Sequence, residues 1–133
     1  IWVETHYPTF LRLIKLGAWM QITAGALTGT FGRRAKYWGE RFLGEGHTHL
    51  IASDAHSAGR RLRQWSEARE SARQLLGEEE AQRGVGGRPQ AVLDNQPQQD
   101  WALPEAPNPT GVAGSFAVNW SQWKSKISVF STK

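Results

Sequence analysis

An α/β fold of parallel β/α units is the expectation for this 133-residue chain, and three observations carry it. Helical apolar periods alternate with short apolar runs in the order helix, strand, helix, strand, helix. Glycines stand where the helical periods end. The length allows one domain around one modest core.

The elements follow in order. In PTFLRLIKL, residues 8–16, Phe10, Leu11, Ile14 and Leu16 fall near one helical face, with Pro8 suited to a first turn and Gly17 as the stop. AWMQIT, residues 18–23, reads as a short buried strand, and TAGALTG as a loop of small residues. Phe31, Ala35, Trp38 and Phe42 recur at intervals of four, three and four, which predicts an amphipathic helix over FGRRAKYWGERFL ending at Gly44 or Gly46. THLIA, residues 48–52, is the second strand. Ser66 can cap a third helix, whose Ala68, Ala72, Leu75 and Leu76 share a face before Gly77 interrupts. GEEEAQR puts three acids into a first turn, where they favour the helix dipole, and PQAVLDN gives a last short helix. Residues 97–109 are proline-rich and break every period, as a linker would. The expected organisation is therefore a domain over 1–96, then a linker and an irregular tail over 97–133, where only ISVF resembles a strand.

A hydrophobic content of 39% and a charged content of 21% suit a globular chain rather than a disordered one. No apolar run approaches the ~20 residues that span a bilayer, and no segment resembles a secretory signal, so no membrane insertion and a cytoplasmic location are expected. Without cysteine there are no disulfides, thiolate zinc sites or cysteine nucleophiles. Any metal must be held by histidine and carboxylate. The net charge of +4 comes from groups such as Arg33, Arg34 and Lys36, and Arg60, Arg61 and Arg63. Guanidinium forks suit a phosphate-bearing partner. With no zinc-finger spacing and no basic–aromatic RNA signature beside them, nucleic acid is not the expected partner.

LIASDAHSAGRR, residues 50–61, is the stretch best suited to chemistry. In parallel α/β folds functional groups gather beyond the carboxyl ends of strands, which is where Asp54 and His56 follow THLIA. Two residues apart, they point the same way if the backbone stays extended and can then share a metal; carboxylate plus imidazole suits Mn, Fe or Zn. The alternative is a hydrogen-bonded turn. His47 and His49 lie at the other end of the same strand, with His49 about 16 Å from Asp54 at the usual rise, too far to join that metal. They read as structural or exposed, and so does His6.

Together, GAWMQITAGALTGTFGRRA, HLIASDAHSAGRR and SEARESARQLLGEEEA resemble the C-terminal half of the PHP-type, manganese-dependent protein tyrosine phosphatases of bacterial capsule and exopolysaccharide operons, over about residues 5–97. The resemblance implies the C-terminal part of a distorted (β/α) barrel with Mn2+ ions at the strand ends. Asp54 and His56 match that family's late Asp-x-His ligands, and Arg61, with Arg60 beside it, matches an arginine suited to holding the substrate phosphate. The implied reaction is attack by metal-activated hydroxide on protein phosphotyrosine, with a bacterial tyrosine kinase as partner.

The departures are equally specific. The family's early His-x-His strand and its His-Pro-Glu-Arg segment are not in this sequence, and His6-Tyr7-Pro8 mimics the latter only in part. Gly29-Thr30-Phe31-Gly32 stands where the family tends to read Gly-Arg-Phe-Gly, and Leu62 and Arg63 replace expected prolines. GVGG at 84–87 should weaken its helix, since each interior glycine costs ~1 kcal/mol relative to alanine. An incomplete and inactive portion of such an enzyme is therefore expected. The alternatives are a non-catalytic module that pairs with another chain through exposed strand edges and its Trp-rich tail, and another PHP-superfamily phosphatase such as one acting on histidinol phosphate.

Overall fold

The computed structural model describes residues 2–55, 60–97 and 100–106, excluding the side chains of residue 2 and of residues 60–63. It is a mixed α/β architecture, mostly helical around a small sheet. Its elements are α1 (Trp2–Thr5), α2 (Tyr7–Lys15), β1 (Gln21–Thr23), α3 (Ala24–Leu27), α4 (Arg33–Gly44), β2 (Leu50–Ala52), α5 (Arg60–Leu76), α6 (Glu78–Gln82), a π-helical turn (Arg83–Gly87) and α7 (Arg88–Leu93). The strands are parallel, with Gln21 opposite Leu50, Ile22 opposite Ile51 and Thr23 opposite Ala52. That register makes helix and loop after each strand leave from the same end of the sheet.

The core forms where the central residue of each strand meets the small-residue face of α5. Ile22 and Ile51 join Ala24, Leu27, Leu43, Ala68, Ala72 and Ala81, with Trp65, Leu75, Leu76 and Val85 packed around them. Ala68 and Ala72 are one turn apart on α5, so the helix comes close to its neighbours there. A second, aromatic cluster seats α2 on α4: the Phe10 and Phe42 rings are 4.7 Å apart, and the Arg41 guanidinium lies 4.4 Å above the Tyr7 ring. Burial, then a hydrogen bond to Glu45, pushes the Tyr7 phenol up to about 12.

Several expectations need correction. TAGALTG is not a loop, because Ala24–Leu27 closes a helical turn whose Leu27 side chain is wholly buried. The first strand is confined to Gln21–Thr23, and the second to Leu50–Ala52. The third helix starts at Arg60, which leaves Ser66 inside it rather than at its cap. Phe31 lies before α4 and is 56% exposed; Gly32, at φ 91, turns the chain between them, and Tyr37, Phe42 and Leu43 form the buried face instead. Leu16, 81% exposed, faces away from the core. The weakened helix expected at GVGG takes the form of the π-helical turn, where a Cβ on Gly84 would stand 3.7 Å from Ile51 Cδ1.

Residues 100–106 return to the fold. The Trp101 and Trp19 rings meet edge-on at 4.0 Å, and Arg88 Nε donates to the carbonyl of Ala102 at 2.8 Å. The chain then crosses Gly46, where a Cβ would stand 2.8 Å from the amide of Ala106, so only glycine admits the crossing.

Candidate functional site

The two ends of the sheet differ in chemistry. At the amino end the groups are buried and packed on one another, with Trp19 Nε1, Thr48 Oγ1 and Trp101 Nε1 lacking a hydrogen-bond partner among the described residues. His49, 6% exposed, stacks on Trp19 at 5.3 Å, and its Nδ1 accepts the Met20 amide hydrogen at 3.2 Å. Nδ1 as acceptor assigns the ring proton to Nε2 when His49 is neutral. The His49 amide returns the bond to the Met20 carbonyl at 2.9 Å, which fixes the start of the strand pair.

Arg88 closes that end from below. It is 4% exposed, and its Nη2 lies 2.7 Å from Oε1 of the buried Glu80, a close ion pair not aligned as a hydrogen bond. Its Nη1 reaches the His49 carbonyl at 3.4 Å. Glu80 also faces Arg83 Nη1 at 3.4 Å. Sequence reading did not single out Arg88, Glu80 or the Trp19–Trp101 contact. The three acids of α6 look alike in sequence, and only the packing of α6 and α7 selects Glu80 for burial.

Burial, and then the neighbouring Arg88 charge, lower the His49 pKa from its ordinary value of 6.5. A base whose folded pKa is depressed binds fewer protons when folded, so its contribution to stability is present above the unfolded pKa and is lost as pH falls through the folded one. Arg88 faces the ring from α7 and His47 from the segment that leads into β2. Melting temperature should therefore fall on acidification below about pH 6.5 more steeply in the wild type than in His49→Asn, which keeps an acceptor without a titrating ring. Equal acid slopes would remove His49 from this role.

The carboxyl end is open. Asp54 stands two residues beyond β2, exposed, with φ 51. This left-handed backbone is not extended, so strand alternation does not govern where its carboxylate points. His56 lies outside the described residues, as do the side chains of Arg60 and Arg61, whose backbone forms the first turn of α5. Among the described residues no three His, Cys, Asp or Glu side chains converge as metal ligands. One carboxylate does not hold a divalent ion, so the described residues do not by themselves make the metal centre that the resemblance implies. His47 and His49 precede β2 and so lie at the other end of the sheet from Asp54; His47 Nε2 is 3.6 Å from Glu45. His6 is exposed and hydrogen-bonds Thr5 through Nδ1 at 2.6 Å.

The turn after α3 meets α5. Gln64 Nε2 of α5 donates to Thr30 Oγ1 at 3.0 Å, and the Thr30 and Thr28 hydroxyls share a bond of 2.9 Å. No helix among the described residues is long and apolar enough to cross a membrane.

Comparison with known proteins gives three findings. A family model described as "Capsular polysaccharide synthesis, CpsB/CapC" matches residues 3–94. A tyrosine-protein phosphatase of Bacillus subtilis (strain 168), YwqE, is 41% identical over 51 residues, which is 38% of this chain and 20% of that protein. A crystal structure from work on YwqE of Bacillus subtilis and CpsB of Streptococcus pneumoniae, described as unique metal-dependent tyrosine phosphatases, superposes with a TM-score of 0.62 at 30% identity. It covers 77% of this chain and 40% of the solved one, so the present sequence spans well under half the length of the proteins it matches.

Proposed function

This chain belongs to the CpsB/CapC capsular polysaccharide synthesis family, and from that membership we propose that it carries part of the site of a metal-dependent phosphatase acting on protein phosphotyrosine. The single observation behind this reading is positional. The matched region contains both loops at the open end of a parallel strand pair, and Asp54 stands there at the carboxyl edge of β2. In this reading Asp54 and His56 contribute ligands to a Mn2+ centre at the end of a distorted β/α barrel, and Arg61, with Arg60, meets the phosphate. A metal ion in such a centre lowers the pKa of bound water and offsets phosphoryl charge. The guanidinium would fork onto non-bridging phosphate oxygens and orient the monoester. The substrate protein would be a bacterial tyrosine kinase, and the setting the cytoplasm.

Two ligands are a partial set. Titrating these 133 residues with manganese chloride by calorimetry should show only weak binding, further reduced in Asp54→Ala. A phosphotyrosine peptide should not be turned over, since transition-state charge on the phosphoryl group has no complete metal centre to meet. Robust turnover that vanishes in Asp54→Ala would overturn the partial-site reading, and manganese binding indifferent to Asp54→Ala would remove the ligand assignment.

A further inference from the structure

We propose that Thr30 and Gln64 are positioning residues for the phosphate-binding start of α5. Their hydrogen bond fixes the first turns of that helix, and with them the backbone of Arg60 and Arg61, against the turn that joins α3 to α4. The inference rests on the phosphatase reading above and adds to it how the phosphate contact is held in place.

The two segments that leave the open end of the sheet are far apart in sequence, and Gln64 joins them. It sits four residues after Arg60 and three after Arg61, within one turn on the same side of α5. Its side-chain amide donates to Thr30 Oγ1 at 3.0 Å. The Thr28 hydroxyl hydrogen goes to the carbonyl of Gly25 at 3.5 Å, so in the 2.9 Å bond between the two threonines it is the Thr30 hydroxyl that donates. The polarity is consistent from Gln64 to the backbone of α3.

The far end of this chain of bonds is anchored. The Phe31 ring lies over Gly25 so closely that a Cβ there would be 2.8 Å from Cζ, and the Phe31 amide donates to the Gly25 carbonyl at 3.3 Å. The turn is thus seated on α3, and α3 on the core through Leu27. Thr30 itself is exposed and adds nothing to that core. An exposed hydrogen bond contributes little to stability, whereas placement of a guanidinium against phosphate is sensitive to small displacements. That separation makes a positioning role measurable apart from a structural one.

The probe is phenyl phosphate, titrated into the isotopically labelled 133-residue chain in metal-free buffer while the amide resonances of residues 60–64 and 28–32 are followed. Thr30→Val and Gln64→Leu should each raise Kd about fivefold, the scale of one ordinary hydrogen bond, with unchanged melting temperature. Thr30→Ser should restore wild-type affinity. Arg61→Ala reports on the underlying reading and should abolish binding. If Arg61→Ala weakens binding while Thr30→Val does not, the positioning role is overturned and the phosphate reading stands. If the wild type shows no saturable binding, or Arg61→Ala leaves it unchanged, the phosphate reading fails and takes the positioning role with it. A Thr30→Val variant that loses melting temperature together with affinity, with Thr30→Ser rescuing neither, would show a structural role and refute the proposal.

Discussion

Arg88→Met should destabilise the chain by about 3–5 kcal/mol, the cost of leaving one member of a buried ion pair without the other. Glu80 is left buried, and its remaining cation, Arg83, is farther away at 3.4 Å. The substitution also removes the donors to the carbonyls of Ala102 and His49, so the returning segment and the strand start lose their common tie. For a small domain whose total stability is about 5–15 kcal/mol, this is a large fraction. Denaturant midpoints measure it. The control is Arg88→Met combined with Glu80→Leu, which removes both charges and should recover part of the loss. A loss below about 1 kcal/mol in Arg88→Met alone would show that solvent already reaches the pair.

Leu27→Ala should cost about 2–5 kcal/mol, because it empties the most buried large side chain of α3. How much depends on what can move into the space. Leu27 Cδ2 lies 3.3 Å from where Gly39 would carry a Cβ, so the α4 side of the cavity offers no side chain to fill it. Gly39→Ala in the Leu27→Ala background should therefore restore part of the loss, although alone it would press on Leu27. Additive effects of the two substitutions in denaturant unfolding would contradict this packing.

How much could be read in the sequence depended on how local the cause was. Helices α2, α4, α6 and α7, and the two strands, follow periods and stop signals within a few residues of themselves, and the spacing of Ala68, Ala72, Leu75 and Leu76 correctly marked the inner face of α5. The choice of Asp54 as a candidate ligand rests on a local signal too, a polar residue two positions past a short apolar strand. The failures have tertiary causes. Ala24–Leu27 becomes helical because Leu27 drops into the core between α4 and α5, which the composition of TAGALTG does not announce. Ser66 looked like a cap, yet packing continues the helix back to Arg60. The Arg88–Glu80 pair, the Trp19–Trp101 contact and the Gln64–Thr30 bond join segments distant in sequence, and no periodicity in a single chain encodes such meetings.

The parallel register of β1 and β2 places the stacked rings and the buried ion pair at one extremity of the strands, and the exposed Asp54 at the other. Substitution at the exposed extremity can therefore leave the packing that holds the fold almost untouched. Descendants of such a chain can exchange the polar groups at Ser53–Asp54 while the clasp around His49 keeps the polypeptide intact.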